Sequence, residues 1–488
     1  MQDPVRKIRC IASGLGASLA VAGGALLLAL WWQPPPLLRI AANYAAKTVC
    51  SNVFLAGRDP EEVLRDDVQA PGIALLGLMR VSVNRGQRTV HAGLLGFIGG
   101  GAAAAREQGG CAVMPDGDLV LEPLAAGARA PQSAAAPGAG GVLWPDGDRV
   151  ETDAAIDRLI ADDALSGPGT RAVIVVDHGR VIGARYGAGF DAHTPQLGWS
   201  MTKTVTAGLI GVLIAQGRLA LDQAGFWPAA DGREKIRVAD LLAMSSGLRW
   251  NEGYGTVSDV TRMLFLESDM AAFARRAPLA HPVGTYFSYS SGTAVILARI
   301  AQDAAASKSL QLPRELLFDR LGMQSAVIEA DAHGTLVGSS YMYATPLDWA
   351  RYGQFLLQGG VWRGEQILPP GYVAMMRTPV AASHGQYGHG QLWLWGSDAR
   401  SPGVDPDAAF GIPPDVFWLE GHDNQFIAVI PSRELVIVRL GLTPARTGYR
   451  PQPLVRALLA ALGQGAARPD PGAIPRCPAP SSTPRSCP

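Results

Sequence analysis

Residues 197–217 read LGWSMTKTVTAGLIGVLIAQG. A short turn sequence, Leu197-Gly198-Trp199, gives way at Ser200 to an apolar run that Gly217 stops, which predicts a helix from about Ser200 to Gln216. Residues three apart share a helix face, so Lys203 reaches the Ser200 hydroxyl from one turn away. A serine hydroxyl is a poor nucleophile at neutral pH and needs a base, a part that a desolvated lysine can take or can tune in another group. The start of a helix also offers unpaired backbone N–H groups and positive potential, which suit an oxyanion. Ser200-Met201-Thr202-Lys203 is the only Ser-x-x-Lys in a chain with five lysines: Lys7, Lys47, Lys203, Lys235 and Lys308. Taken alone, the tetrad equally describes a capping serine followed by an exposed lysine, and its meaning depends on the rest of the chain.

Working outward, Arg171 to Val176 and Val181 to Tyr186 flank the turn residues Asp177-His178-Gly179-Arg180 and predict a β-hairpin. Helical patterns follow at Val238 to Met244, Asp259 to Arg276 and Thr293 to Ala306. Three short strands are expected at Phe417 to Leu419, Gln425 to Ile430 and Leu435 to Leu440, then a helix over Pro453 to Leu462. Strands, a helical block, then strands and a helix imply an α+β fold: an antiparallel sheet flanked by helices, with a helical subdomain.

The N-terminal side divides into residues 1–10, an apolar run at 11–32, an extension over 37–124 with a helix from Leu38 to Phe54 and a strand from Leu78 to Val83, and an Ala/Gly/Pro-rich linker at 125–142. The main section covers 143–465, and a Pro-rich tail covers 466–488. As a helix, residues 11–32 would span about 33 Å. Arg6, Lys7 and Arg9 precede the run, and Trp31 and Trp32 end it. These features predict a transmembrane helix, hence a single-pass cytoplasmic (inner) membrane protein with residues 1–10 in the cytoplasm and the main domain in the periplasm or extracellular. A cleaved signal peptide is the alternative, and it leaves the bulk of the chain outside as well.

Outside the cytoplasm disulfides persist. Of the five cysteines, Cys477–Cys487 and Cys50–Cys111 are the expected pairs, against free buried thiols. Lys plus Arg equals Asp plus Glu at 42 each, which argues against a nucleic-acid partner. No His/Asp/Glu cluster has metal-ligand spacing, so neither a metal nor another cofactor is expected.

With its context, Ser200-Met201-Thr202-Lys203 resembles the first motif of class C β-lactamases, related esterases and D-alanyl-D-alanine peptidases, and the stretch from about Trp144 to Leu462 is most similar to the 6-aminohexanoate-dimer hydrolase-like branch. The second motif is Tyr289-Ser290-Ser291, where class C enzymes carry Tyr-x-Asn. The third is Gly421-His422-Asp423-Asn424-Gln425, where β-lactamases carry Lys-Thr-Gly. Met244-Ser245-Ser246-Gly247-Leu248 and Val337-Gly338-Ser339-Ser340-Tyr341 also look like this branch. The resemblance implies Tyr289 or Lys203 as the base and oxyanion donors at the N–H groups of Ser200 and Gln425. It also implies substrate contacts from Ser291, His422, Asp423, Asn424, Tyr254 and Ser339.

The expected activity is hydrolysis of a small-molecule ester, amide or peptide through a Ser200 acyl-enzyme. The third motif lacks the lysine that holds a penicillin carboxylate, which argues against an efficient β-lactamase. A D-Ala-D-Ala peptidase or β-lactamase is the alternative within the same scaffold, and an inactive membrane-tethered binding module is the alternative outside it.

Overall fold

The computed structural model describes residues 21–25, 27–70, 73–107, 109–117, 119, 121, 141–306, 309–397 and 404–463. The chain divides into two units: Met1–Arg106, Cys111–Leu121 and Gly253–Ser268 in the first, Glu107–Gly110, Glu122–Glu252 and Asp269–Pro488 in the second.

In the first unit, helix α1 (Pro36–Phe54) packs on an antiparallel sheet of β1 (Met79–Asn84), β2 (Thr89–Leu94), β3 (Ile98–Ala105) and β4 (Cys111–Val113), joined in that order. Pro36 suits the first helical position, where no N–H bond is lost. Ala41, Ala42, Ala45, Ala46, Val49 and Val53 recur at helical spacing and are buried. Their small side chains let the backbones approach: a Cβ on Gly101 of β3 would stand 2.2 Å from the carbonyl carbon of Ala42. Asn43 donates to the Phe265 carbonyl at 2.7 Å and accepts from the Ala102 N–H at 3.0 Å, and Tyr44 meets the Phe265 ring edge-on at 5.7 Å, so the helix Asp259–Leu266, distant in sequence, packs into this unit. A disulfide, Cys50–Cys111, ties α1 to β4. Cys477 and Cys487 lie outside the described residues.

The expectation of an N-terminal transmembrane helix is corrected. Among the described residues no helix is long and apolar enough to cross a membrane. Of the expected span, 21–25 and 27–32 are helical, and residues up to 20 and residue 26 lie outside the described residues. The helix that follows Pro34-Pro35 is α1, which carries Arg39 and Lys47 and buries its apolar face on protein. The single-pass membrane placement and the membrane partner, which rested on that span, fall with it.

The second unit contains α2 (Ala154–Ala161), β5 (Thr170–Asp177), β6 (Arg180–Tyr186), α3 (Met201–Ala215), α4 (Ser291–Ala304), α5 (Pro346–Leu357), β7 (Phe417–Gly421), β8 (Gln425–Ile430), β9 (Leu435–Gly441) and α6 (Gln452–Ala461). The strands form one antiparallel sheet in the order β7-β8-β9-β5-β6. Strand β9 (LVIVRLG) is buried along its whole length, as a nearly continuous apolar strand covered on both faces must be. On one face Val173, Val175, Phe426, Ala428 and Ile437 meet Ile156 and Ile160 of α2 and Leu454, Val455 and Leu458 of α6. Helix α5 covers the other face across β5, β8 and β9. The α+β sandwich thus matches the strand–helix–strand order expected from sequence. Helix α3 is buried along most of its length against α4 and β7, which holds its N-terminus, Ser200, at the edge of the sheet.

Candidate active site

Ser200 is the N-cap of α3, and the residue before it carries the strain. Trp199 has φ +48°, in the left-handed region that bulky residues avoid. Its ring is held between Tyr341 (centroids 6.2 Å apart) and His422 (5.8 Å). Thr202 locks the turn by donating to the Trp199 carbonyl at 2.6 Å and accepting from the Met342 N–H at 3.2 Å.

Lys203 is 1% exposed. Its Nζ donates to Ser200 Oγ at 2.9 Å, Ser291 Oγ at 3.0 Å and the Ser339 carbonyl at 3.0 Å. Burial pulls its ammonium down to about 8, against the Glu252 carboxylate, which favours the charged form. Tyr289 shares a hydrogen bond with the Ser200 side chain, and Lys203 Nζ lies 4.8 Å from its ring centroid. Tyr387 and Trp393 pack against the Tyr289 ring at 5.9 and 5.3 Å. Burial, and then the Glu252 charge, push the Tyr289 phenol far above its usual range, so this phenol is neutral. Two segments distant in sequence, 200–203 and 289–291, therefore meet at this site.

Other expected site residues have different surroundings from those the motifs suggested. Ser291 is fully buried, and its hydroxyl is shared between Lys203 and Glu252, to which it donates at 2.5 Å. Ser339 is also buried, and it is its carbonyl that meets Lys203, while its hydroxyl pairs with that of Ser340 at 2.9 Å. Asn424 uses its side chain on the Thr443 carbonyl at 2.7 Å. Asp423 and Asn424 are both in the left-handed region, at φ +60° and +58°. Burial raises the Asp423 carboxyl, against the charges of His422, Arg171, Arg446 and Arg439. The His422 side chain is 48% exposed beside Trp199. Tyr254 belongs to the first unit and is 38% exposed.

The backbone of the third motif differs from expectation in one respect. Trp418 exchanges both backbone hydrogen bonds with Trp393, at 2.9 and 2.8 Å, so alternate residues of β7 from Trp418 onward turn their N–H groups to that outer edge. Gly421 keeps extended angles (φ −120°, ψ 162°), and the alternation carries on to the N–H of His422. Gln425 faces Gly421 across the ladder, which turns its N–H inward. It is Gly421 that passes against the nucleophile's turn, where a Cβ would stand 2.3 Å from the Gly198 carbonyl oxygen. Gln425 was the expected oxyanion donor, and the alternation gives the N–H of His422 as a second candidate for that part.

Glu252 has no counterpart in the sequence reading. Its carboxylate accepts from the Ser291 N–H at 2.8 Å, the Ser291 hydroxyl at 2.5 Å and the Trp250 indole N–H at 2.6 Å. The only signal was its place four residues after Leu248, between Trp250 and Tyr254.

Residues 156–462, more than half of the chain, match the family model described as Beta-lactamase. A 6-aminohexanoate-dimer hydrolase from Paenarthrobacter ureafaciens is 25% identical over 294 residues, covering 54% of this chain and 72% of its own. Among solved structures, a candidate beta-lactamase from Bacteroides dorei DSM 17855 is 20% identical, covers 64% of this chain and 99% of its own, and superposes with a TM-score of 0.50. A penicillin-binding protein homologue from Caulobacter crescentus is 18% identical with a TM-score of 0.49, covering 64% and 99%.

Proposed function

The chain belongs to the beta-lactamase family of serine hydrolases, and on that premise we propose that it cleaves a neutral ester or small amide through an acyl-enzyme on Ser200. The observation that carries this reading is Lys203 Nζ at 2.9 Å from Ser200 Oγ, on the same hydroxyl that Tyr289 engages.

The bonding around Lys203 supports Lys203 as the base. A neutral amine has two N–H bonds and one lone pair. The Ser339 carbonyl can only accept, and the Ser291 hydroxyl spends its hydrogen on Glu252. Both must take N–H bonds, and the lone pair is left for Ser200. Lys203, lowered toward neutrality by burial, is thus the base, and the neutral phenol of Tyr289 is the acid. In the first step the Ser200 oxygen bonds to the carbonyl carbon while its proton passes to Lys203. The oxyanion rests on the N–H groups of Ser200 and His422, each worth roughly 3 kcal/mol in a dry site. As the bond to the leaving group breaks, Tyr289 protonates that group and is reprotonated from Lys203. Water then repeats the sequence on the acyl-enzyme.

The charges argue for a neutral acyl group. The third motif offers His422 in place of a lysine, and the Glu252 and Glu420 carboxylates both act on Tyr289. An anionic substrate meets a negative field there. The related hydrolase is named for the 6-aminohexanoate dimer, not for a penicillin. The test is labelling with a fluorophosphonate and with a fluorescent penicillin, beside turnover of p-nitrophenyl esters. Fluorophosphonate labelling and ester turnover, both lost in Ser200→Ala, are expected. Stable penicillin labelling would favour a cell-wall peptidase instead, and turnover that survives Ser200→Ala would end the assignment.

A further inference from the structure

We propose that Glu252 is a positioning residue, which fixes the direction of proton exchange at Lys203 by holding both polar groups of Ser291. It rests on the reading of Ser200 and Lys203 as nucleophile and base. The carboxylate of Glu252 forms a fork: one oxygen takes the Ser291 N–H at 2.8 Å, and the other takes the Ser291 hydroxyl at 2.5 Å. The Trp250 indole pins the first oxygen at 2.6 Å. Ser291 is the first residue of α4, so the fork also places a negative charge at that helix's N-terminus, where the backbone dipoles favour it.

The consequence reaches Lys203 through one oxygen. With its hydrogen committed to Glu252, Ser291 Oγ offers only lone pairs to Lys203. Were the fork absent, the Ser291 hydroxyl could turn and donate to the amine, and the lone pair needed for Ser200 would be occupied. Glu252 therefore excludes an unproductive bonding pattern and does not touch substrate. It also acts through its charge, which favours the ammonium form of Lys203 and the neutral form of Tyr289 and of the buried Tyr387. Glu420 adds to the field at Tyr289. The position of Lys203 on the pH scale is then a balance in which burial pulls down and Glu252 pushes up.

The experiment is a set of pH–rate profiles with a p-nitrophenyl ester on the full chain, for wild type, Glu252→Gln, Glu252→Asp, Ser291→Ala and the Glu252→Gln/Ser291→Ala double variant. Circular dichroism and thermal unfolding confirm the fold. In Glu252→Gln, kcat falls by roughly ten- to a hundredfold through misdirection of the amine. Its rising limb moves to lower pH, because the charge that favoured the ammonium is gone. Glu252→Asp keeps the charge but shortens the fork, so kcat falls while the limb stays in place. The double variant loses less than the product of the two single losses, since both break one link. An unshifted limb in folded Glu252→Gln, or losses that multiply in full, would overturn the proposal. If Glu252→Gln does not fold, full kcat in Glu252→Asp does the same. Activity remaining in Ser200→Ala would instead count against the nucleophile, which keeps the two failures apart.

Discussion

Gly421 and Gly198 pass so close that a methyl group on the first would lie 2.3 Å from the carbonyl oxygen of the second. The edge of the sheet is thereby set against the turn that carries the nucleophile. Gly421→Ala must push β7 away from that turn, and the N–H of His422 moves with it. The expected result is a loss of kcat of roughly 100-fold with KM little changed, since a donor acting on developing charge is displaced. Unfolding by urea should show that the variant remains folded.

The pH dependence follows from Lys203. Burial holds its ammonium near 8, below the usual lysine range, and in the proposed mechanism it is the neutral amine that accepts the Ser200 proton. The kcat/KM for a neutral ester should therefore be low under acidic conditions and rise through about pH 8. Stability changes in the same direction. A depressed lysine binds fewer protons in the folded state between its folded and unfolded values, so folding gains stability as pH rises through that window. Lys203→Met should flatten this gain in a urea series from pH 7 to 10, as well as abolish activity.

Arg439 supports the third motif from below. It is fully buried, and its guanidinium donates to the carbonyls of Ser166 at 2.6 Å and Asn424 at 2.9 Å and to the Thr170 hydroxyl at 3.0 Å, with the Tyr449 ring 4.5 Å away. Arg439→Met leaves these buried acceptors without donors and should cost about 3 kcal/mol or more. Lysine cannot reproduce the planar fork, so Arg439→Lys should recover only part of the loss. Urea midpoints of the three proteins test both statements.

The Cys50–Cys111 bridge closes a loop with a sequence separation of 61 residues. By chain entropy it should stabilise the first unit by about 4 kcal/mol. Replacing both cysteines with serine, or adding reductant, should lower the unfolding temperature, and a reductant effect that persists in the double-serine variant would assign it elsewhere.

Much of the fold and the pairing of Ser200 with Lys203 at the candidate site was legible because these signals are short-range. The spacing of Ser200 and Lys203 needs only helix geometry, and β8 and β9 are runs of β-branched residues bounded by turns. Glu252 was illegible because its meaning lies in a fork to Ser291, 39 residues away, which no periodicity encodes. The candidacy of His422 beside Gln425 depends on which way an edge strand turns its N–H groups, a matter of pairing with Trp393 that the motif does not contain. The N-terminal run was read from hydropathy alone, whereas among the described residues no helix is long and apolar enough to cross a membrane, and the α1 that follows is covered by protein.

The pairing of β5 with β9 joins Val176 to Val436 and Val173 to Arg439. During synthesis the hairpin of β5 and β6 leaves the ribosome long before its central partner exists, and so does the helix bearing Ser200. Vectorial folding cannot complete this sheet: closure waits for residues near 441, and a prematurely released polypeptide exposes β5 as an unpaired apolar edge. A chain cut short before β9 should therefore fail to complete its sheet.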